Sequence, residues 1–418
     1  MCMTSCSAIA ITRACRVERV NIMQIFSDRE TRGPAARFLI LLVGTVLMVG
    51  AVTAWVAVTY SSAGTVYWPA YSDMMSSMPS PLAWLRWVLG DISEVAFYKH
   101  ELASLGLLLG GALGYWASRY AQTWQGFSIS YGTGLWPWLV TSSLLGLLLS
   151  NALWGWTLTA DTWQPTFAAF VSLPAAMVLL FGGGWKVTLN GAILGALLVT
   201  PSCLLIVNYV CLPLGLPVVI GNVLGMALGS VIAFGLCRAL PALVTPRHEQ
   251  KTPTAPETPA NTPDYGVVWI ARRVLADFSE APFYGNEWAS LGMLAGVLLA
   301  FTLNPLSPAY GSGVLLQMVA AQALTSLVGV IVWRGEWRKR GWYPTYVPLV
   351  SVVPAAVLTY GASPMVMIAS AVLGALIAPP LACAIARRVP GYMHSYIGNV
   401  LSMAISTLLI VPVIGVLV

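Results

Sequence analysis

The feature that most constrains this chain is that much of it is written twice. Residues 84–110, WLRWVLGDISEVAFYKHELASLGLLLG, return at 270–296 as IARRVLADFSEAPFYGNEWASLGMLAG. At an offset of 186, 15 of the 25 positions from Arg86 to Gly110 are identical, among them Asp91/Asp277, Ser93/Ser279, Glu94/Glu280, Phe97/Phe283, Tyr98/Tyr284 and Glu101/Glu287. Further on, Tyr131-Gly-Thr-Gly134 matches Tyr310-Gly-Ser-Gly313, and Trp163-Gln-Pro-Thr166 matches Trp342-Tyr-Pro-Thr345. Leu173-Pro-Ala-Ala176 then matches Val353-Pro-Ala-Ala356, and Ile220-Gly-Asn-Val223 matches Ile397-Gly-Asn-Val400. The order is the same throughout, so whatever the first half builds the second half builds again.

What each half can build follows from its apolar runs. Of the 418 residues 58% are hydrophobic and only 9% charged, against about 25% charged in a soluble domain. Such a chain cannot hide its side chains in one water-soluble core, which excludes a soluble enzyme, a disordered scaffold and a disulfide-stapled secreted module. A helix rises 1.5 Å per residue, so about 20 apolar residues cross a bilayer. Eleven stretches qualify: 38–60, then 101–120, 134–157, 163–183, 187–210 and 214–238, then 287–304, 313–334, 343–361, 363–386 and 392–417. The expected fold is an all-α polytopic membrane protein with 11 transmembrane helices. Its parts are a cytoplasmic N-terminal segment (1–36, with Met23 a plausible alternative start), an extra helix at 37–60, a first repeat at 84–239, a linker at 240–265 and a second repeat at 266–418. The linker, with TPRHEQKTPTAPETPANTPDYG at its centre, has almost nothing to bury and reads as extended and solvated.

Five spans per repeat is an odd number, so the two repeats must enter the membrane in opposite senses. The basic residues agree. With the N-terminus in the cytoplasm, Arg119, Lys186, Arg247 and Lys251, the run from Arg334 to Arg340, and Arg387–Arg388 all fall inside. The loops expected outside (61–80, 158–162, 211–213, 305–312 and 361–364) contain no Lys or Arg. This is the positive-inside pattern of a bacterial-type inner (plasma) membrane protein, with the C-terminus outside. It also accounts for the net charge of +6 without a nucleic-acid partner. The partners expected are the bilayer and a small solute, since inverted repeats hold their solute site at the repeat interface near mid-membrane.

The candidate chemistry lies ahead of each repeat's first span. Segments 84–98 and 270–284 are too short to cross, and read either as amphipathic helices in the headgroup plane or as re-entrant half-helices beside a cavity. On a helix, Asp91, Glu94, Tyr98 and Glu101 would make one polar stripe. Six of the fifteen carboxylates sit here: Asp91, Glu94, Glu101, Asp277, Glu280 and Glu287. Acids inside a membrane are costly and usually mark an ion or proton path; they could bind a cation, titrate, or accept hydrogen bonds from an amide-like solute. The plain alternative is that Glu101 and Glu287 favour the first turn of a helix through its dipole while the rest face water. Asn222 and Asn399, at matching places in the last span of each half, either bind a polar solute or join helices. Thr166/Thr345 and the aromatic pair Phe97/Phe283 complete the candidate lining. Pro165/Pro344 and Pro174/Pro354 would break the third span of each half, and the Gly106-xxx-Gly110 and Gly292-xxx-Gly296 spacings read as close helix packing.

The seven cysteines form no CxxC pair, and His100, His248 and His394 are far apart, so neither a disulfide framework nor a metal or cofactor site is expected. No nucleotide-binding or hydrolase motif occurs, and the chain is not read as an enzyme.

The arrangement resembles the urea transporter family. Phe283, Asn286, Ser290 and Gly292 in FYGNEWASLG are similar to that family's Phe-x-Asn-Asn-Pro-x-Ser-Gly stretch, and Leu216-Pro217 to the start of its Leu-Pro-x-x-Thr-x-Pro-Phe motif. The rest of that motif is absent, and Gly391-Tyr-Met stands where a second Leu-Pro would be. The resemblance implies two inverted five-helix halves, re-entrant half-helices, a pore for an amide solute and a homo-oligomer, a trimer. The expected function is therefore a transporter or channel for a small polar solute, amide-like or cationic, with a proton or cation as a further partner. The alternative is a non-transporting accessory or assembly subunit that docks through the linker and the RGEWRKR loop.

Overall fold

The structure is a computed structural model that describes residues 67–244 and 265–418. The expected helix at 37–60, the segment 1–36 and the core of the linker lie outside the described residues. What is described is helical, and among the described residues the one extended pairing is a bridge between Thr159 and Thr162.

A short helix α1 (Tyr71–Ser76) precedes α2 (Pro81–Ser93), α3 (Glu101–Arg119), α4 (Trp136–Trp154), α5 (Leu173–Phe181), α6 (Trp185–Cys211) and α7 (Val218–Ala239). The second half repeats the order: α8 (Val267–Asp277), α9 (Glu287–Leu303), α10 (Leu315–Val332), the cationic α11 (Arg334–Arg340), α12 (Val352–Tyr360), α13 (Pro364–Ala386) and α14 (Tyr396–Leu417). Six of these, namely α4, α6, α7, α10, α13 and α14, are long and apolar enough to cross a membrane.

The remaining apolar runs depart from plain spans for local reasons. Glu101, Ser104, Ser118 and Arg119 dilute the hydropathy of α3, and α9 is 17 residues long. The runs 163–183 and 343–361 are broken: each starts as a 3₁₀ turn (Thr166–Ala169, Val347–Val350) and becomes α5 or α12 after a residue outside the helical region, Ser172 (φ −136°) or Ser351 (φ −144°). Pro174 lies in the first turn of α5, where its missing N–H costs nothing.

The single polar stripe expected across residues 91–101 does not form. Helix α2 ends at Ser93, a 3₁₀ turn follows, and Phe97 (φ +67°) and Lys99 (φ +44°) turn left-handed before α3 begins. Asp91, at the end of α2, and Glu94, in the 3₁₀ turn, therefore lie before the left-handed turn and Glu101 after it. The second half does the same through Phe283 (φ +65°) and Gly285 (φ +55°). His100 caps α3, its Nδ1 accepting the Leu102 N–H at 3.1 Å; at the matching position Asn286 caps α9, its Oδ1 accepting from Trp288 N–H at 2.9 Å.

The halves are clasped by α3 and α9. A Cβ on Gly106 would overlap the backbone of Gly292, one on Gly110 that of Trp288, and one on Gly296 that of Leu102. Contacts that advance along α3 retreat along α9, so the matching helices run antiparallel with their backbones in touch, as small-xxx-small spacing permits.

Candidate functional site

Two buried charge clusters occupy matching places in the halves. In the first, Asp91 and Glu94 are 0% and 1% exposed. Lys99 pairs with both, at 2.6 Å from Glu94 Oε2, and its ammonium lies 3.3 Å from the centre of the Trp87 ring. Asp91 Oδ2 also accepts from Asn151 Nδ2 at 2.9 Å and Thr166 Oγ1 at 2.7 Å. Glu94 Oε1 accepts from Trp163 Nε1 at 2.5 Å and from Tyr310 Oη at 3.0 Å.

In the second cluster Arg273 takes the place of the lysine. Its Nη2 is 2.8 Å from Asp277 Oδ1 and 2.6 Å from Glu280 Oε2. Asp277 Oδ2 accepts from Ser326 Oγ at 2.6 Å and Thr345 Oγ1 at 2.9 Å, Glu280 Oε1 accepts from Trp342 Nε1 at 2.8 Å, and Tyr131 lies beside Glu280. Trp87 matches Arg273 and Lys99 matches Gly285, so the cation has moved in sequence while pairing with the matching two acids. A side chain at 285 would overlap the Glu280 carboxylate, which leaves the second half no room for a lysine there.

Each half also reaches into the other. Tyr310, from the second half, bonds Glu94; Tyr131, from the first, lies beside Glu280. Both tyrosines sit on left-handed turns, at φ +59° and +60°, a costly conformation for a non-glycine residue held by its surroundings. Burial, and next the Glu94 carboxylate, raise the Tyr310 hydroxyl above the ordinary phenol range, so it stays protonated and remains a donor.

A cavity of about 50 Å³ lies between the halves. Its walls are matched pairs: Phe97 with Phe283, Phe167 with Tyr346, Val171 with Val350, Val223 with Val400 and Met226 with Met403. Four of its lining residues carry polar side chains, Glu94, Asn222, Tyr346 and Tyr396. Asn222 is 4% exposed and its Oδ1 has no hydrogen-bond partner.

The candidate residues thus sort into three groups. Glu94, Phe97, Asn222 and Phe283 line the cavity. Asp91, Thr166, Asp277, Glu280 and Thr345 build the clusters beside it, and Asn399 acts through the wall, its Nδ2 donating to Tyr346 Oη at 3.0 Å. Glu101 and Glu287 stand apart as clamps: Glu101 binds Arg86 Nε at 2.6 Å and Trp68 Nε1 at 3.0 Å, while Glu287 binds Arg272 Nε at 2.8 Å and the Phe127 N–H at 2.5 Å. Sequence reasoning missed Lys99 and Arg273 because identity between repeats was the guide and the cation is the part not repeated in place. It also passed over Trp163/Trp342 and Tyr131/Tyr310 as neighbours of the acids, although both pairs were visible in the matched motifs. Among the described residues no group of His, Cys, Asp and Glu is placed to hold a metal ion.

Fold and site together define an all-helical protein of the membrane-embedded kind, with paired ionic clusters beside a central cavity. No protein-family model matches the chain, and no curated protein matches it in sequence.

Proposed function

We propose that this protein is a transporter or channel of the inner membrane that passes a small polar solute between two inverted five-helix repeats. The reading has eleven transmembrane helices, the N-terminus and linker in the cytoplasm and the C-terminus outside, in an architecture similar to that of urea transporters. The observation that carries it is the cavity between the halves, walled by matched residues from both. A pathway needs its permeant to meet equivalent groups from either side, and a pseudo-two-fold lining supplies them.

Contacts between loops support the inverted topology. Segment 67–71, expected outside, hydrogen-bonds 303–306, also expected outside, through Tyr67 N to Leu303 O and Tyr71 N to Leu306 O. On the other side Asn286 Nδ2 donates to Gln125 O and Phe127 O, and Arg238 stacks on Tyr392. Glu94 with Tyr310 would then close the outer end of the cavity and Glu280 with Tyr131 the inner end.

The test is solute uptake by proteoliposomes of wild type and of Val223→Trp and Val400→Trp, which fill the cavity from opposite halves. Passage through the cavity predicts that both variants fall to the rate of empty vesicles while remaining folded. Unchanged uptake would move the pathway elsewhere, and a wild type no faster than empty vesicles for every small solute would leave the accessory-subunit reading.

A further inference from the structure

We infer that the protein holds an anionic phospholipid headgroup at one corner of its second half, where α11 meets the end of α13. From residue 288 to Val418 the chain has six cationic side chains and one carboxylate. The cations are Arg334, Arg338, Lys339, Arg340, Arg387 and Arg388, and the carboxylate is Glu336. The fold gathers the two basic runs: the Arg340 guanidinium donates to Cys383 Sγ at 3.3 Å, and that of Arg387 donates to the same sulfur at 3.4 Å. Both arginines are exposed, so two like charges stand side by side at the surface and repel one another. Glu336 bonds Arg340 at 2.6 Å and lies 3.9 Å from Lys339, and one carboxylate cannot balance six cations. A phosphate placed between Arg340 and Arg387 relieves that repulsion and fits the planar guanidinium fork. The fold does not need these charges. At the matching places in the first half, Arg334, Arg338, Lys339 and Arg340 become Gly155, Thr159, Ala160 and Asp161, and α4 ends there without a cation.

The surroundings favour a lipid over a free phosphate. Helix α11 follows α10 after one residue, Trp333, whose indole donates to Ala375 O of α13 at 2.9 Å. From there α11 runs beside the last turns of α13 and brings Arg340 to Cys383. Further into the membrane, Ile331 and Val332 of α10 and Leu376 and Ile377 of α13 are exposed, an apolar surface for acyl chains beneath the charges. In the topology proposed above this corner faces the cytoplasm, whose leaflet attracts basic segments, and basic pockets between helices on that side suit anionic headgroups. None of these residues lines the cavity, so the lipid is bound whether or not a solute passes.

The full chain, purified in a neutral detergent, is titrated with phosphatidylglycerol, with phosphatidylcholine of the same acyl chains and with inorganic phosphate, and bound lipid is counted by native mass spectrometry. The expected result is phosphatidylglycerol binding about tenfold tighter than phosphatidylcholine, undisturbed by inorganic phosphate at equal concentration. Arg340→Gln with Arg387→Gln should lower phosphatidylglycerol to the phosphatidylcholine level. Arg119→Gln with Lys186→Gln, cations of the first half expected on the same side, should leave it unchanged. If the first pair does not fold, Lys339→Gln with Arg388→Gln, both exposed, should still weaken phosphatidylglycerol about threefold or more. Equal affinity for the two lipids, or phosphatidylglycerol binding that survives the substitutions at this corner, would overturn the site. An equal loss in the Arg119→Gln, Lys186→Gln protein would also overturn it, because the attraction would then belong to the whole face. Displacement of the lipid by inorganic phosphate at equal concentration would overturn the lipid as its occupant.

Discussion

The exchange of cations between the clusters makes a strong prediction. Lys99→Gly gives the first half the residue the second half has at 285, and the left-handed backbone at Lys99 (φ +44°) accepts glycine without strain. The variant leaves Asp91 and Glu94 buried with no cation. Breaking a buried pair by removing one partner costs about 3–5 kcal/mol, and loss of a desolvated cation–π contact about 2 kcal/mol more. Adding Trp87→Arg supplies the guanidinium from the position that Arg273 occupies in the other half. It sacrifices the Trp87 Nε1 bond to Thr166 (2.8 Å), worth about 1 kcal/mol. It also lacks the Trp337 and Phe127 rings that lie 5.0 and 5.4 Å from the Arg273 guanidinium. The double variant should therefore recover about half of the loss. Chemical unfolding in detergent micelles, followed through the 17 tryptophans, measures both steps. A double variant no more stable than Lys99→Gly alone would refute the equivalence of the two cations.

Other consequences are open to similar measurement. Gly106→Val should prevent the α3–α9 clasp from closing and abolish the monodisperse peak in size-exclusion chromatography; a folded variant would mean the helices do not touch there. Tyr98 donates to Gln322 Oε1 at 3.0 Å, but at the matching places the Tyr284 and Ser143 hydroxyls are both without partners. Ser143→Gln should therefore stabilise the protein by about 0.5–1.5 kcal/mol, and a loss of stability would contradict that placement. Tyr310→Phe removes the bond to Glu94 across the halves (3.0 Å) and Tyr131→Phe removes the hydroxyl beside Glu280; both should raise solute leak through proteoliposomes if these residues close the ends of the cavity, and an unchanged leak would refute that role. Burial lowers His100 from 6.5 to about 4, so below pH 6.5 the unfolded chain binds the proton that the folded chain refuses. Stability should be full above pH 6.5 and fall between pH 6.5 and 4, and His100→Asn, copying the cap of α9, should flatten that fall; an identical profile would mean the histidine is protonated in the fold.

Much of the architecture was legible in the sequence because it rests on long-period signals. Apolar runs anticipated the six helices long and apolar enough to cross a membrane, and the fixed offsets tied Asp91 to Asp277 and Glu94 to Glu280. Glycine spacing anticipated the α3–α9 contact, and Pro174 the break before α5. The stripe from Asp91 to Glu101 was misjudged because helical periodicity was assumed across Phe97 and Lys99, two residues that turn left-handed without glycine to announce it. The partners of the acids were misjudged for a different reason. A lysine eight residues after Asp91 and an arginine four residues before Asp277 look unrelated until the fold puts both on the same two carboxylates. Asn222 and Asn399, equal in sequence, differ in the structure because Asn399 finds Tyr346 Oη while the residue matching that tyrosine in the first half, Phe167, has no hydroxyl to offer Asn222.

The most direct test of the account is the sidedness of one matched pair of positions. Asp161 and Arg340 correspond at the offset of 179, and oppositely oriented halves put them on opposite faces of the membrane. Single cysteines at 161 and 340, in a chain whose native cysteines are replaced, would be treated with an impermeant maleimide in sealed right-side-out vesicles. Labelling of Asp161→Cys alone, with Arg340→Cys reacting only after the vesicles are opened, is the predicted result; labelling of both from the same face would contradict the inverted arrangement and the central pathway built on it.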